Sequence, residues 1–396
     1  RALARLSKLE ELKIAGKFTD LGAAHLSKLL RLKELTLKSD QLTGSGLRFL
    51  GKLKRLVKLS LQGKKLGPAA LKAAGRCRAL AWLTFQSPAA GLSPAALTGL
   101  GKAGALQSVT LTLDGKKQPT VALAPLLGLR KIKFLSISKL KLDAAQARVL
   151  GKLTTLTTLR LSNTGVRDAA IAKLRTLGKL KTLNISSFSF LRKGKPLGDG
   201  ALAAIGKLPS LTDLTITGRF TDRGLAGLGT KSKLESLDLS VIGKGVTSRG
   251  LQSLRKLKRL KSLTLAGVKV TQGVLRAIAK LSRLERLHLG IEEYKGAHIA
   301  ELRRLRKLRE LDVSFSGFTD AALLQSARIK SLEKISLMGT KVTKAGLARF
   351  LKKRPDVAAH WSKMEEPPDE NDPDGAPNPN EPDDPGYTPY YPGTGP

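Results

Sequence analysis

The chain has 396 residues, with 71 Lys+Arg against 31 Asp+Glu, 41% hydrophobic and 4% aromatic residues, four His and one Cys. So few His and Cys, with no H-E-x-x-H, C-x-x-C or C-x-x-C-H spacing, exclude a dedicated zinc, iron–sulfur or haem site, and a lone Cys excludes an intrachain disulfide framework. No apolar run approaches the roughly 20 residues that a transmembrane helix needs, so no cofactor, metal or membrane span is expected, and the compartment stays open with the cytoplasm favoured.

The opening phrase, Arg1 to Leu9, has the form of a helix end, and the chain starts on Arg, so the expectation is that something precedes it. From there the phrase L-x-x-L-x-L, with Ile, Val or Phe allowed, begins at Leu9, Leu32, Leu56, Leu80, Leu106, Ile132, Leu156, Leu180, Leu211, Leu234, Leu260, Leu284, Leu308 and Leu332. These fourteen copies span 323 residues over 13 intervals, and only the 31-residue step from Leu180 to Leu211 departs much from the mean. A fixed period of this length is the mark of a stacked repeat array.

The first half of each unit alternates, as in Leu35-Thr36-Leu37 and Leu263-Thr264-Leu265, which predicts a short strand with aliphatic side chains on one side. The second half has helical spacing. Thr221-Asp222-Arg223-Gly224-Leu225 and Thr343-Lys344-Ala345-Gly346-Leu347 carry a Thr start signal, and Gly67-Pro68 and Ser93-Pro94 put Pro where a first turn tolerates it. Asp20, Asp168, Asp199, Asp222 and Asp320 fall in first turns, and Lys and Arg crowd the helix ends, matching the helix dipole.

In such an array the concave strand positions are the default binding surface. In chain order they include Glu34, Thr36 and Lys38; Lys58, Ser60 and Gln62; Trp82, Thr84 and Gln86; Ser108, Thr110 and Thr112; Arg160; Thr182, Asn184 and Ser186; Asp213; Asp238; Arg286 and His288; and Glu310 and Asp312. All fourteen triplets together hold six basic and six acidic residues, so this face is nearly neutral and rich in Ser and Thr. The candidate contacts to a protein partner are Trp82, Thr84, Thr110, Arg160, Asn184, Asp213, Asp238, Arg286, His288 and Asp312. The insertion Ser187 to Pro196 adds Phe188, Phe190, Arg192 and Lys193 as an anchor, unless both rings fold back onto neighbouring units.

The excess positive charge therefore belongs on the connections from helix to strand. Lys54 and Arg55, Arg130 and Lys131, Arg255, Lys256, Lys258 and Arg259, and Arg303, Arg304, Arg306 and Lys307 would stack into basic ridges able to bind nucleic acid or another polyanion. The alternative is that they solubilise the surface and serve helix C-termini. Few aromatics interleave with them, so base reading is not expected.

Enzyme signatures are absent. No G-x-x-x-x-G-K-[ST] occurs, and His25, His288, His298 and His360 fall in different units. Cys77 lies between Arg76 and Arg78, which could lower its pKa, at a position that matches a core or turn site. Asn184-Ile185-Ser186 is a sequon inside a predicted strand and is taken as accidental.

At the end of the array, Arg354-Pro355-Asp356-Val357 and Trp361 predict a degenerate further unit that covers the last Leu layer. Residues 1–364 are expected to form the array and 365–396 a disordered tail, because Glu365 to Pro396 hold nine Asp+Glu, ten Pro and no Lys or Arg. That leaves +49 on Arg1 to Met364, and the tail is expected either to dock on Arg303, Arg304, Arg306, Lys352, Lys353 and Arg354 or only to solubilise.

These phrases resemble leucine-rich repeat proteins of the ribonuclease-inhibitor-like kind, whose units read L-x-x-L-x-L and then V-T-D-x-G-L-x-x-L. Variants stand at Phe220 to Leu228, Val270 to Ile278, Phe318 to Leu324 and Val342 to Phe350, most similar to F-box-type receptors and to bacterial planctomycete-type multi-repeat proteins. The resemblance implies an α/β fold, a right-handed solenoid of about fourteen units with a parallel inner sheet and outer helices. The family's Asn after the strand is replaced by Asp40, Lys64, Thr164, Val268, Ser316 and Thr340, so hydroxyls or backbone must close that turn. The expected function is a non-enzymatic scaffold for a protein partner. The alternatives are polyanion binding on the basic rims and the recognition part of a larger protein with an N-terminal domain.

Overall fold

In the computed structural model, which describes residues 2–88, 96–113, 121–186, 196–228, 233–290, 294 and 297–362, the alternating half of every unit is a strand. The strands are Glu11–Ala15 (β1), Glu34–Lys38 (β2), Lys58–Gln62 (β3), Trp82–Ser87 (β4), Ser108–Leu113 (β5), Phe134–Ser138 (β6), Thr158–Ser162 (β7), Thr182–Ser186 (β8), Asp213–Gly218 (β9), Ser236–Val241 (β10), Ser262–Ala266 (β11), Arg286–Gly290 (β12), Glu310–Asp312 (β13), Lys334–Ser336 (β14) and Ala358–His360 (β15). They form one 15-stranded sheet in strict chain order. Every pairing is parallel and in phase, as in Trp82↔Ser108↔Phe134, so equivalent positions of successive units make straight rows. The expected acidic tail and most of the insertion after β8, with Phe188, Phe190, Arg192 and Lys193, lie outside the described residues.

Inward residues such as Leu35, Leu37, Leu263 and Leu265 are at most 1% exposed. Each buried Leu contributes about 1.5–3 kcal/mol of transfer free energy, and none of it is available until a neighbouring unit covers the layer.

The outer half differs from the expectation of plain helices. Short α-helices occur at Asp20–Ala24 (α1), Pro68–Ala74 (α2), Ala144–Gly151 (α3), Asp168–Ile171 (α4), Asp199–Ile205 (α5), Asp222–Leu228 (α6), Ser248–Ser253 (α7), Gln272–Ile278 (α8), Asp320–Ser326 (α9) and Lys344–Lys353 (α10). Some units form a 3-10 helix instead, as at Ser45–Lys52 and Ile299–Arg304, and others pass from α into 3-10, as at Ala172–Thr176 after α4 and Leu254–Lys256 after α7. The spacing of the buried side chains is compatible with the tighter turn. Leu47, Leu50, Leu53 and Leu56, or Ile299, Leu302, Leu305 and Leu308, recur every third residue, all at most 1% exposed. A period of three is that of the 3-10 helix. The exposed positions between the buried residues include Lys52, Lys54 and Arg55 in the one unit and Arg303, Arg304, Arg306 and Lys307 in the other.

The helix starts interlock unit to unit. Thr221 donates its backbone N–H (2.8 Å) and its hydroxyl to the Asp199 carboxylate of the preceding unit. Thr247 does the same to Asp222 (2.7 and 2.6 Å) and Thr343 to Asp320 (2.8 and 2.7 Å). Asp20 accepts from the N–H groups of Thr43, Gly44 and Gly46 as well as from the Thr43 hydroxyl. The glycine of the T-D-x-G-L phrase makes room for this carboxylate: a Cβ on Gly46, Gly224, Gly250 or Gly346 would collide with the Asp of the unit before.

Hydroxyls close several turns, with Ser39 donating to the Phe18 carbonyl (2.6 Å), Ser87 to that of Leu66 (2.6 Å) and Thr340 to that of Leu337 (2.7 Å). At Lys139, Asn163 and Phe315 the backbone turns through positive φ instead. The far end is sealed by the degenerate unit, whose strand β15 pairs with β14. Arg354 donates to the carbonyls of Ile329 (2.9 Å) and Leu332 (2.7 Å) and forms a 2.8 Å ion pair with Asp356. Only 12% of its side chain is exposed, so Arg354, expected above to be available to the tail, is already used as a cap.

Candidate functional site

Among the described residues the outward rows of the sheet gather most of the partner candidates. The middle row runs Thr36, Ser60, Thr84, Thr110 and Ser136, then Arg160, Asn184, Thr215, Asp238, Thr264, His288, Asp312 and Ser336. Beyond Lys13 on β1, its first half offers hydroxyls only, and its second half carries charge.

In the first half Trp82 is 44% exposed, with the Lys58 ammonium 6.0 Å from its ring centre. Phe134 stands two strands on, in the same row, with the Arg160 guanidinium 5.5 Å from its ring. Both geometries are cation–π contacts. Phe134 is absent from the candidates drawn from the sequence, although its place in the alternation after Ile132 marks it as outward-facing.

In the middle, Asp213 on β9 accepts from the Thr212 hydroxyl at 2.6 Å. The Asn184 side-chain oxygen is buried with no hydrogen-bond partner among the described residues. Asp238 has a carboxyl pushed above the usual range by burial, which the charge of His288 only partly opposes. The Asp238 carboxyl accepts no hydrogen bond among the described residues.

Towards the C-terminal end, Arg286, His288 and Asp312, scattered in sequence, come together. His288 Nδ1 lies 2.9 Å from Asp312 Oδ2. Burial would raise the Asp312 pKa, but hydrogen bonds from His288 and Ser314 outweigh it and hold the carboxyl below the ordinary range. These residues, with Glu310 and Lys334, line an open hollow of about 250 Å³. It lies eight strands from Trp82, roughly 40 Å at the normal strand spacing, so the two clusters are separate contact regions.

The rim candidates Lys54, Arg55, Arg130, Lys131, Arg255, Lys256, Lys258, Arg259, Arg303, Arg304, Arg306 and Lys307 are all exposed. Carboxylates partly neutralise the rim, in the position just before each strand: Lys33 pairs with Glu10 at 2.7 Å, Lys261 with Glu235 at 2.9 Å and Arg309 with Glu333 at 3.7 Å.

Cys77 occupies the core site that its position in the repeat matched. Its flanking arginines do not activate the thiol, because the side chain is buried and donates to the Leu50 carbonyl at 3.2 Å, and burial pushes its pKa up to about 12. Among the described residues no three His, Cys, Asp or Glu side chains are grouped to hold a metal, and no helix is long and apolar enough to cross a membrane.

No protein-family model matches the chain, and no curated protein does. Solved structures do. A leucine-rich repeat protein of Leptospira interrogans is 18% identical, with 90% of this chain and 91% of that one covered at a TM-score of 0.58. An internalin of Listeria monocytogenes is 17% identical, with 92% and 84% covered at a TM-score of 0.43.

Proposed function

The chain has the leucine-rich-repeat fold, and on that premise we propose that it is a non-enzymatic recognition scaffold holding a protein partner across the outward rows of its sheet. The observation that carries this reading is Asp238. A half-buried carboxyl that no neighbouring side chain pairs is partly desolvated, which disfavours its ionised form, and such a group on a binding face suits a ligand that brings a cation to it. The complementary ligand is a segment with a Lys or Arg side chain for Asp238 and an apolar or aromatic side chain for Trp82 and Phe134, which are the rigid anchors typical of hot spots.

A random peptide library selected on the immobilised chain tests this. Enriched peptides should carry basic residues, and their affinity should fall roughly tenfold or more in each of Asp238→Asn and the double variant Trp82→Ser, Phe134→Ser. Peptides that bind both variants as well as the parent would show that this face is not the recognition surface.

A further inference from the structure

We propose that the rim at β6 to β8, with the outer surface behind it, is a binding track for a linear phosphate polymer held through its charges. This proposal does not depend on the protein-partner reading. An open cavity of about 300 Å³ on the rim is lined by Gln107, Lys131, Lys133, Thr155, Thr157 and Lys179. A second, of about 570 Å³, lies on the outer side, and its polar lining is Arg148, Lys152, Thr154, Lys173, Arg175 and Thr176. Thr154 faces one and Thr155 the other, so the two hollows lie on either side of a single connection.

The two linings together hold seven cations and no carboxylate. None of the seven has an ion-pair partner among the described residues. Elsewhere the rim neutralises itself through Glu10, Glu235 and Glu333. In this stretch the same position holds Gln107, Lys133, Thr157 and Lys181.

Three of the four lining hydroxyls already donate to backbone carbonyls. Thr155 donates to the Ile132 carbonyl (2.6 Å), Thr157 to that of Lys133 (3.1 Å) and Thr176 to that of Gly151 (2.5 Å), which leaves the ammonium and guanidinium groups to meet a ligand. Cations recurring from one unit to the next, on both sides of one connection, suit a chain whose charges are closely and regularly spaced. Arg148 and Arg175 can grip phosphate oxygens in pairs, and the lysines serve as point charges. Neither lining contains an aromatic ring, so bases would find no stacking platform.

The test titrates the full chain with short-chain inorganic polyphosphate, with heparin and with an oligo-dT of equal charge, at several salt concentrations. The set Lys133→Gln, Lys179→Gln, Arg175→Gln should weaken polyphosphate binding roughly tenfold and reduce the salt slope by about 2. The control set Lys258→Gln, Arg283→Gln, Lys307→Gln removes the same charge from another part of the rim and should have much less effect. Circular dichroism checks that both sets fold. Equal losses from the two sets would mean a diffuse charge effect and overturn the site. Tighter binding of oligo-dT would overturn the charge-only claim, and tighter binding of heparin would overturn the assignment to phosphate.

Discussion

At the residue scale the T-D-x-G-L phrase becomes a statement about two units. Gly224 sits within a helix, where Ala is ordinarily better by about 1 kcal/mol. It is Gly because the Asp199 carboxylate, holding Thr221, occupies the space a Cβ would need. Gly224→Ala should therefore destabilise by about 1–3 kcal/mol. In an Asp199→Ala background the same change should become neutral or stabilising, and a double-mutant cycle by urea unfolding reads this reversal of sign. A penalty of equal size in both backgrounds would refute the steric account.

Asp238 gives a second test at this scale. Its folded pKa is raised, so its ionised form disfavours the folded state at every pH above that value, and the penalty is absent in acid once the carboxyl is protonated in both states. Asp238→Asn should thus raise the melting temperature near pH 7, with the gain disappearing below about pH 4. Combined with weaker peptide binding, that outcome would separate recognition from folding at one side chain. A variant less stable at pH 7 would contradict it.

At the element scale two of the carboxylates that tie the helix starts of neighbouring units, Asp20 and Asp320, have a pKa that moves the other way. Burial would raise Asp20 and Asp320, but the Thr43 and Thr343 hydroxyls and nearby backbone N–H groups outweigh it and hold both below the ordinary value. A lowered folded pKa contributes stability above the unfolded value, about 3.9, and that contribution is lost as pH falls through the folded value. Acid titration followed by circular dichroism should show cooperative loss of structure beginning below about pH 4, and Asp20→Asn with Asp320→Asn should flatten that dependence. An unchanged acid midpoint would mean that these links contribute nothing.

The strands were legible from alternation alone, because one side of each buries Leu and the other meets solvent. The 3-10 character was present in the sequence as Leu every third residue, in Leu47, Leu50 and Leu53, but the same residues also satisfy a loose helical pattern. The Asp–Thr links join residues 22 to 25 positions apart, and only the parallel register brings them together. The exposure of Trp82 followed from its place in the row. The desolvation of Asp238 did not, since it depends on how neighbouring strands crowd that row.

At the scale of the whole molecule, sheet neighbours are always chain neighbours, β1 to β15 without a crossover. No strand of a later unit reaches back to clasp an earlier one, and Arg354 with Trp361 closes only the final layer. Under mechanical tension such a chain has no global knot of contacts to rupture at once. Held by its ends in an optical trap, the array should come apart from the ends in a staircase. Each step of about 25 residues should release a contour length on the order of 80–90 Å, at 3.3–3.6 Å per residue. Arg354→Ala should lower the force of the first step at the C-terminal end and leave later steps unchanged. A single rip of the full length would show a cooperativity that neighbour-only pairing does not supply.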